Sequence, residues 1–368
     1  MKRSVLYWML LFGALGFNSC TQQEEQKKQK EYRVPNRPDD LLYIKGEING
    51  MPPLTSVALY RLHPRTGAPI LLTQKKVKST TFSFPVTVKT PTFYLLLVGK
   101  TRQIPVLMNK SDVMVTANYQ NVPNTLIIEG ARDAELLIKL QDMKKKLSRK
   151  RQSMSSEEYA EVRETTIENF IDRAMPSLIC ITAVSSLPLE KYGDEYDEVI
   201  AQLEETHPDS PYLEAFKEST ALKQKYSVGA TLPADQRFSL HDGKVITLDQ
   251  LRGKYVLLDF WQTRYPNIGK DNALLAKTYE MFPDDLEIIS VSLDSKPDTW
   301  QKAIENLPWK HVYDVDQEDY YSPTAARYGY FTLNTPITFL LDPEGKIIDK
   351  GIRGAELAPR LKKLLEKP

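Results

Sequence analysis

The hydrophobic pattern changes character several times along the chain. After a positive start at Met1, Lys2 and Arg3, residues 5–17 form an uncharged apolar run. Residues 21–40 are almost free of apolar side chains and rich in Gln, Glu, Lys and Pro, a composition that cannot build a core. Between 41 and about 130, short β-prone runs broken by Pro, Gly and Asn predict strands at 42–44, 56–60, 81–84, 93–98, 113–115 and 126–128. Such spacing implies a β-sandwich or barrel-like domain. From 131 to about 226 the period becomes helical. One stripe is Leu136, Leu140, Met143 and Leu147, a second is Tyr159, Val162, Thr166, Phe170 and Ile171, and a third is Tyr196, Val199, Ile200 and Leu203. No repeat period recurs, which argues against a solenoid. Beyond 228, strands at 245–248, 256–260, 287–291 and 337–341 alternate with helices at 271–281, 299–306 and 355–367, the order of an α/β sheet with helices on both faces.

The chain therefore divides into a leader (1–19), a flexible tether (20–40), a β-domain (41–130), a helical insert (131–226) and an α/β domain (227–368). Its 41% hydrophobic and 26% charged content is that of a globular protein able to bury a core. A formal net charge of +1 removes the case for a nucleic-acid binder or for long-range steering of acidic substrates. The one basic cluster, 144–151, has Lys or Arg at six of eight positions. Helical spacing spreads these charges over a solvated face.

The leader has the form of a secretory signal: a charged head, a short apolar segment and small Ser19 before Cys20. Its apolar run is shorter than the ~20 residues a membrane span needs. The Ser19-Cys20 junction resembles a bacterial lipobox, which implies lipidation of Cys20. The expected location is the envelope of a Gram-negative bacterium, with the body tethered by lipid.

The C-terminal third carries a specific ordered set of residues. It runs from Val228-Gly229-Ala230 through Phe238-Ser239-Leu240, Asp242-Gly243-Lys244 and Leu251-Arg252-Gly253-Lys254 to the strand ending in Asp259-Phe260-Trp261. Val291-Ser292-Leu293-Asp294, Trp300, Pro308-Trp309, Thr335-Pro336 and Asp342-Pro343-Glu344-Gly345 follow. In this order the segment resembles the TlpA-like, AhpC/TSA-related branch of the thioredoxin superfamily. With the signal, β-domain and helical insert, the whole resembles a group of envelope lipoproteins.

That resemblance implies thiol–disulfide exchange by a Cys-x-x-Cys pair at a helix start, where N–H groups and the dipole stabilise the thiolate. Carried onto this chain, Tyr265 stands at the nucleophilic position and Ile268 at the resolving one, after Trp261, Gln262, Thr263 and Arg264. Neither side chain can form or cleave a disulfide. The chain has two cysteines, and Cys180 lies among apolar neighbours that predict an inert, buried thiol. The resemblance also implies a cis bond at Pro336, a buried acid at Asp259, and peptide pairing through the backbone of Thr335, with Arg264 and Tyr265 as a cationic and aromatic rim. Trp261 is expected to pack beneath the site loop.

His63, His207, His241 and His311 lack metal-ligand spacing, and no phosphate loop, Rossmann fingerprint or G-x-S-x-G elbow occurs. No metal or cofactor is expected. The reading is a redox-inactive binding or assembly module for an envelope protein or peptide, with an envelope thiol–disulfide or peroxide-handling oxidoreductase as the alternative.

Overall fold

The computed structural model describes residues 38–294, 296–314, 322–330 and 336–366. Cys20, the leader, most of the tether and Thr335 lie outside these residues.

Eight strands come first: β1 (Leu41–Asn49), β2 (Thr55–Leu62), β3 (Pro69–Val77), β4 (Thr81–Thr87), β5 (Thr92–Val98), β6 (Arg102–Met108), β7 (Val113–Asn118) and β8 (Ile127–Glu129). They form two four-stranded sheets, ordered β4-β1-β7-β8 and β3-β2-β5-β6. The second is antiparallel throughout, whereas β1 and β7 run parallel in the first. Alternation buries Ile44, Ile48, Phe82, Phe84 and Val86 of one sheet against Val57, Leu59, Leu96, Val98 and Ile104 of the other. Gly46 permits this packing, because a Cβ there would collide with the Phe82 ring.

Two of these strands are missing from the sequence-based reading, for physical reasons. β3 has no alternation, and all but its last residue are exposed. β6 contains Pro105, which is tolerated because β6 is an edge strand.

A short turn, α1 (Val122–Thr125), precedes the helices α2 (Arg132–Lys150), α3 (Ser156–Ala174), α4 (Ile179–Val184), α5 (Gly193–Thr206) and α6 (Pro211–Lys225). Ser155 starts α3 with a capping box: Glu158 N–H donates to its Oγ at 3.2 Å, and Ser155 N–H donates to Glu158 Oε2 at 2.9 Å. The first and third expected stripes contribute to one core through Leu136, Leu140, Tyr196, Val199 and Leu203. The second is displaced. On α3 the buried line is Glu164, Ile167, Ile171 and Ala174, while Tyr159, Val162, Thr166 and Phe170 are half-buried. A carboxylate is tolerated on that line because Lys191 Nζ and Tyr192 Oη donate to Glu164 Oε2 at 2.7 and 2.9 Å. The basic cluster at the end of α2 is exposed apart from buried Leu147 and half-buried Lys144.

The helices cover the outer face of the antiparallel sheet. Leu107 belongs to the helical core, and Tyr212 Oη donates to Leu62 O at 2.7 Å.

The last part opens with the hairpin β9 (Arg237–Ser239) and β10 (Val245–Thr247). It continues β11 (Tyr255–Trp261), α7 (Ile268–Met281), β12 (Leu286–Ser292), α8 (Pro297–Ile304), β13 (Lys310–Tyr313), α9 (Pro323–Arg327), β14 (Ile337–Leu341), β15 (Ile347–Lys350) and α10 (Leu357–Leu365). The sheet order is β13-β12-β11-β14-β15, with β11, β12 and β13 parallel and β14 and β15 antiparallel to their neighbours. β11 is central and covered on both sides, which explains why it is apolar at every position except Asp259. Val256, Leu258 and Phe260 face one core with Tyr328 and Phe339. Leu257 faces a second with Leu275 of α7 and Leu357 and Leu361 of α10. Asp259 and Trp261 continue that second face toward the start of α7.

Candidate functional site

The chain leaves β11 at Trp261, turns through 262–267 and enters α7 at Ile268. This turn is braced from beneath by the end of β12. Leu293 N–H donates to Trp261 O at 2.9 Å, and Gln262 Nε2 donates to Leu293 O at 2.5 Å. Asp294 is the anchor. It accepts from Thr263 N–H at 3.0 Å and from Thr263 Oγ1 at 2.7 Å, and its own backbone carbonyl accepts from Tyr313 Oη at 2.8 Å. Asn267 precedes the helix in the left-handed region, φ 64°, with no side-chain cap bond. Ile268 N–H donates to Tyr265 O at 3.3 Å, so positions 265 and 268 form one tight turn at the helix start.

Tyr265 does not form an exposed rim. It is 5% exposed and packs with Trp261, Trp300 and Ile304, while Ile268 lies partly buried against the same cluster. An apolar neighbourhood of this kind draws the phenol ring inward. Burial pushes its hydroxyl up to about 12, with Arg264 pulling weakly the other way. Three buried polar atoms of this cluster have no hydrogen-bond partner: Tyr265 Oη, Trp261 Nε1 and Trp300 Nε1. Arg264 is exposed and donates from Nε to Gln262 Oε1 at 2.7 Å, so it alone of the expected rim faces outward. Trp261 packs directly beneath the turn, at 1% exposure. Pro336 begins the approach to β14 and is partly buried.

Asp259 sits one turn of the pleat below Trp261 and is completely buried. Arg353 Nη1 pairs with Asp259 Oδ1, Arg353 Nη2 donates to Asn272 Oδ1 at 2.8 Å, and Ser290 Oγ donates to Asp259 Oδ2 at 3.1 Å. Trp309 Nε1 in turn donates to Ser290 Oγ at 2.8 Å. Burial pushes the carboxyl up, opposed chiefly by the Arg353 charge. Gly354, at φ 58°, lets the chain after Arg353 approach α7, where a Cβ would stand 3.1 Å from Asp271 Oδ1. Arg353, Asn272 and the bracing role of Asp294 escape sequence reasoning. A buried aspartate demands a cation, but nothing in linear spacing says which one supplies it.

Cys180 is fully buried in the first turn of α4, a helix start that the sequence-based reading does not anticipate. Desolvation outweighs that position and pushes the thiol up to about 12. His241 and His311, 70 residues apart in the chain, come together with ring centroids 6.1 Å apart beside Trp300 and Trp309. Among the described residues no group of three His, Cys, Asp or Glu side chains is placed to hold a metal ion. Among the same residues no helix is long and apolar enough to cross a membrane.

The parallel β11-β12-β13 unit, its antiparallel extension and the turn into α7 define a thioredoxin-like fold. The family model described as thioredoxin-like matches residues 253–347. The thiol-disulfide oxidoreductase ResA of Bacillus subtilis (strain 168) is 30% identical over 135 residues, covering 34% of this chain and 68% of that protein. A ResA of Bacillus cereus is 29% identical over 154 residues, covering 39% and 80%. Among solved structures, the thioredoxin domain of a thiol-disulfide oxidoreductase from Bacteroides vulgatus has 32% identity and a TM-score of 0.33, covering 38% of this chain and 99% of that one. Through its C-terminal domain the chain belongs to the thioredoxin-like family that includes the ResA thiol-disulfide oxidoreductases.

Proposed function

We propose that the chain is a redox-inactive member of this family, an exported lipoprotein tethered through Cys20, that binds a protein or extended peptide in the cell envelope. One observation carries the reading. Tyr265 and Ile268 occupy the turn into α7 where the family's redox cysteines belong, and Tyr265 turns its ring into the Trp261–Trp300 cluster. Thiol–disulfide exchange needs an accessible thiolate and a resolving partner. Cys180 is buried, held protonated and outside the thioredoxin-like domain. The sequence keeps Thr335-Pro336 ahead of β14, where the family resemblance implies main-chain pairing with an extended segment, and Arg264 is exposed in the turn into α7.

The test has two arms. Full-length wild type should not catalyse reduction of insulin by dithiothreitol, whereas Tyr265→Cys with Ile268→Cys should form an intramolecular disulfide and gain some exchange activity. Turnover by wild type that is abolished in Cys180→Ser would restore the oxidoreductase reading. In the second arm, Thr335→Pro, which removes one backbone donor, should lose envelope partners captured by the wild type.

A further inference from the structure

The β-sandwich is open along one side. β3 is the edge strand of its sheet and β4 the edge strand of the other. Thr73 and Lys75 pair with Leu59 and Val57, so they share the inward face of that sheet, yet both are exposed. The opposing sheet ends too early to cover them. The uncovered space is a cleft of about 540 Å³, floored by Leu59, Phe84, Val86 and Tyr94. Exposed Leu72 also lines the cleft and extends its apolar surface along β3.

The border of this cleft is the free edge of β4. Phe82, Phe84 and Val86 point into the core and alternate with exposed Ser83, Pro85 and Thr87. Lys75 Nζ reaches across the mouth to Ser83 O at 2.6 Å, so the Ser83 carbonyl is directed into the cleft. By the two-residue period of a strand, the main-chain groups of Pro85 and Thr87 point the same way. Pro85 agrees with this, since a proline inside the ladder to β1 would break it.

Charge specifies the occupant. Residues 48–111 contain nine Lys and Arg and no Asp or Glu, in a chain whose formal net charge is +1. Both cleft edges lie within this acid-free stretch, Arg61 and Lys75 line the cleft, and Lys76 is exposed next to it. We propose that this cleft docks an extended acidic polypeptide segment, which adds as a strand to the free edge of β4 and lies under β3. Its alternate apolar side chains would meet Leu59, Phe84 and Val86, and its carboxylates would draw Lys75 away from Ser83 O and meet Arg61. Main-chain pairing supplies affinity and the cations select acidic sequences.

The probe is a fluorescein-labelled alternating valine–glutamate octapeptide, titrated by anisotropy with the full-length protein. It should bind, and weaken as salt rises, while the valine–lysine octapeptide should not bind. Lys75→Glu with Lys76→Glu, two exposed changes that leave the core intact, should weaken binding by about tenfold or more. Thr87→Pro should weaken it by removing an edge donor, and Thr335→Pro should leave it unchanged, which separates this cleft from the thioredoxin-like site. The proposal fails if the valine–glutamate peptide does not bind, or if the valine–lysine peptide binds equally well. It also fails if the double charge reversal folds normally and keeps wild-type affinity, or if protein dimers occupy the cleft and exclude the peptide.

Discussion

Arg353→Met isolates the electrostatic cost at the centre of the thioredoxin-like domain. Asp259 is 1% exposed and the Arg353 side chain 8%, so water can replace neither partner of the ion pair. Ser290 Oγ remains after the substitution, but one neutral hydrogen bond does not balance a buried carboxylate. Removing one member of a buried pair costs about 3–5 kcal/mol. The cost should depend on pH with a definite sign. Burial already raises the Asp259 pKa above its ordinary 3.8, and without Arg353 it rises further. A raised carboxyl pKa means that the native state keeps a proton the unfolded chain has lost. The variant is therefore most stable below the unfolded value and loses stability as pH rises toward the folded value. Tryptophan fluorescence during urea unfolding is a suitable assay, because Trp261, Trp300 and Trp309 lie in this domain and Trp309 adjoins the pair through Ser290. Adding Asp259→Asn to Arg353→Met should recover more than half of the loss at neutral pH. A cost below about 1 kcal/mol, or a double variant no more stable than Arg353→Met alone, would refute the reasoning.

Three other outcomes follow from buried groups. In a Cys20→Ser background, Cys180 should resist a thiol reagent at pH 8 and react only as the protein unfolds, since burial holds its pKa at about 12; rapid labelling of the native chain would contradict that. Burial pushes His311 down to about 4, so the native ring stays neutral while the unfolded one takes a proton below its ordinary 6.5; stability should fall as pH drops from 6.5 toward 4, and an NMR titration midpoint near 6.5 would exclude this. Tyr265→Phe removes a buried hydroxyl without a partner and should leave melting unchanged or raise stability by up to about 1 kcal/mol, whereas a loss above that would reveal a bond to the hydroxyl.

The sequence made the central strands of the C-terminal domain legible because two-sided burial writes a nearly continuous apolar run, interrupted only by Asp259 in residues 256–260 and by Thr338 in 337–341. It was least informative where burial is one-sided or absent. β3 shows no alternation since neither of its faces is covered, and β13 is a four-residue strand carrying Lys310 and His311. The stripe on α3 was displaced because a paired glutamate takes a core position that hydrophobicity alone assigns to its neighbours. At the site, Tyr265 and Ile268 could be located by register against Trp261 and Asp271. The inward turn of the tyrosine could not, since it depends on Trp300 and Ile304, more than 30 residues away. Arg353 was hidden for the same reason: the pairing is made across the sheet, 94 residues from Asp259.

β6 sends alternate side chains into two interiors. Val106 and Met108 belong to the sandwich, and Leu107 to the helices; α2 does likewise with Ala134 on one side and Leu136, Leu137 and Leu140 on the other. A cut near residue 130 would thus divide both cores, since Ala131 and Ala134 belong to the sandwich and Leu107 to the helices. It would leave Phe93 and Leu107 as a bare apolar stripe, the kind of surface that drives aggregation. Over evolution such an arrangement restricts shuffling. Sheet and helices must be inherited, exchanged or lost as one cassette, and a change of loop length at their junction must preserve both packings at once.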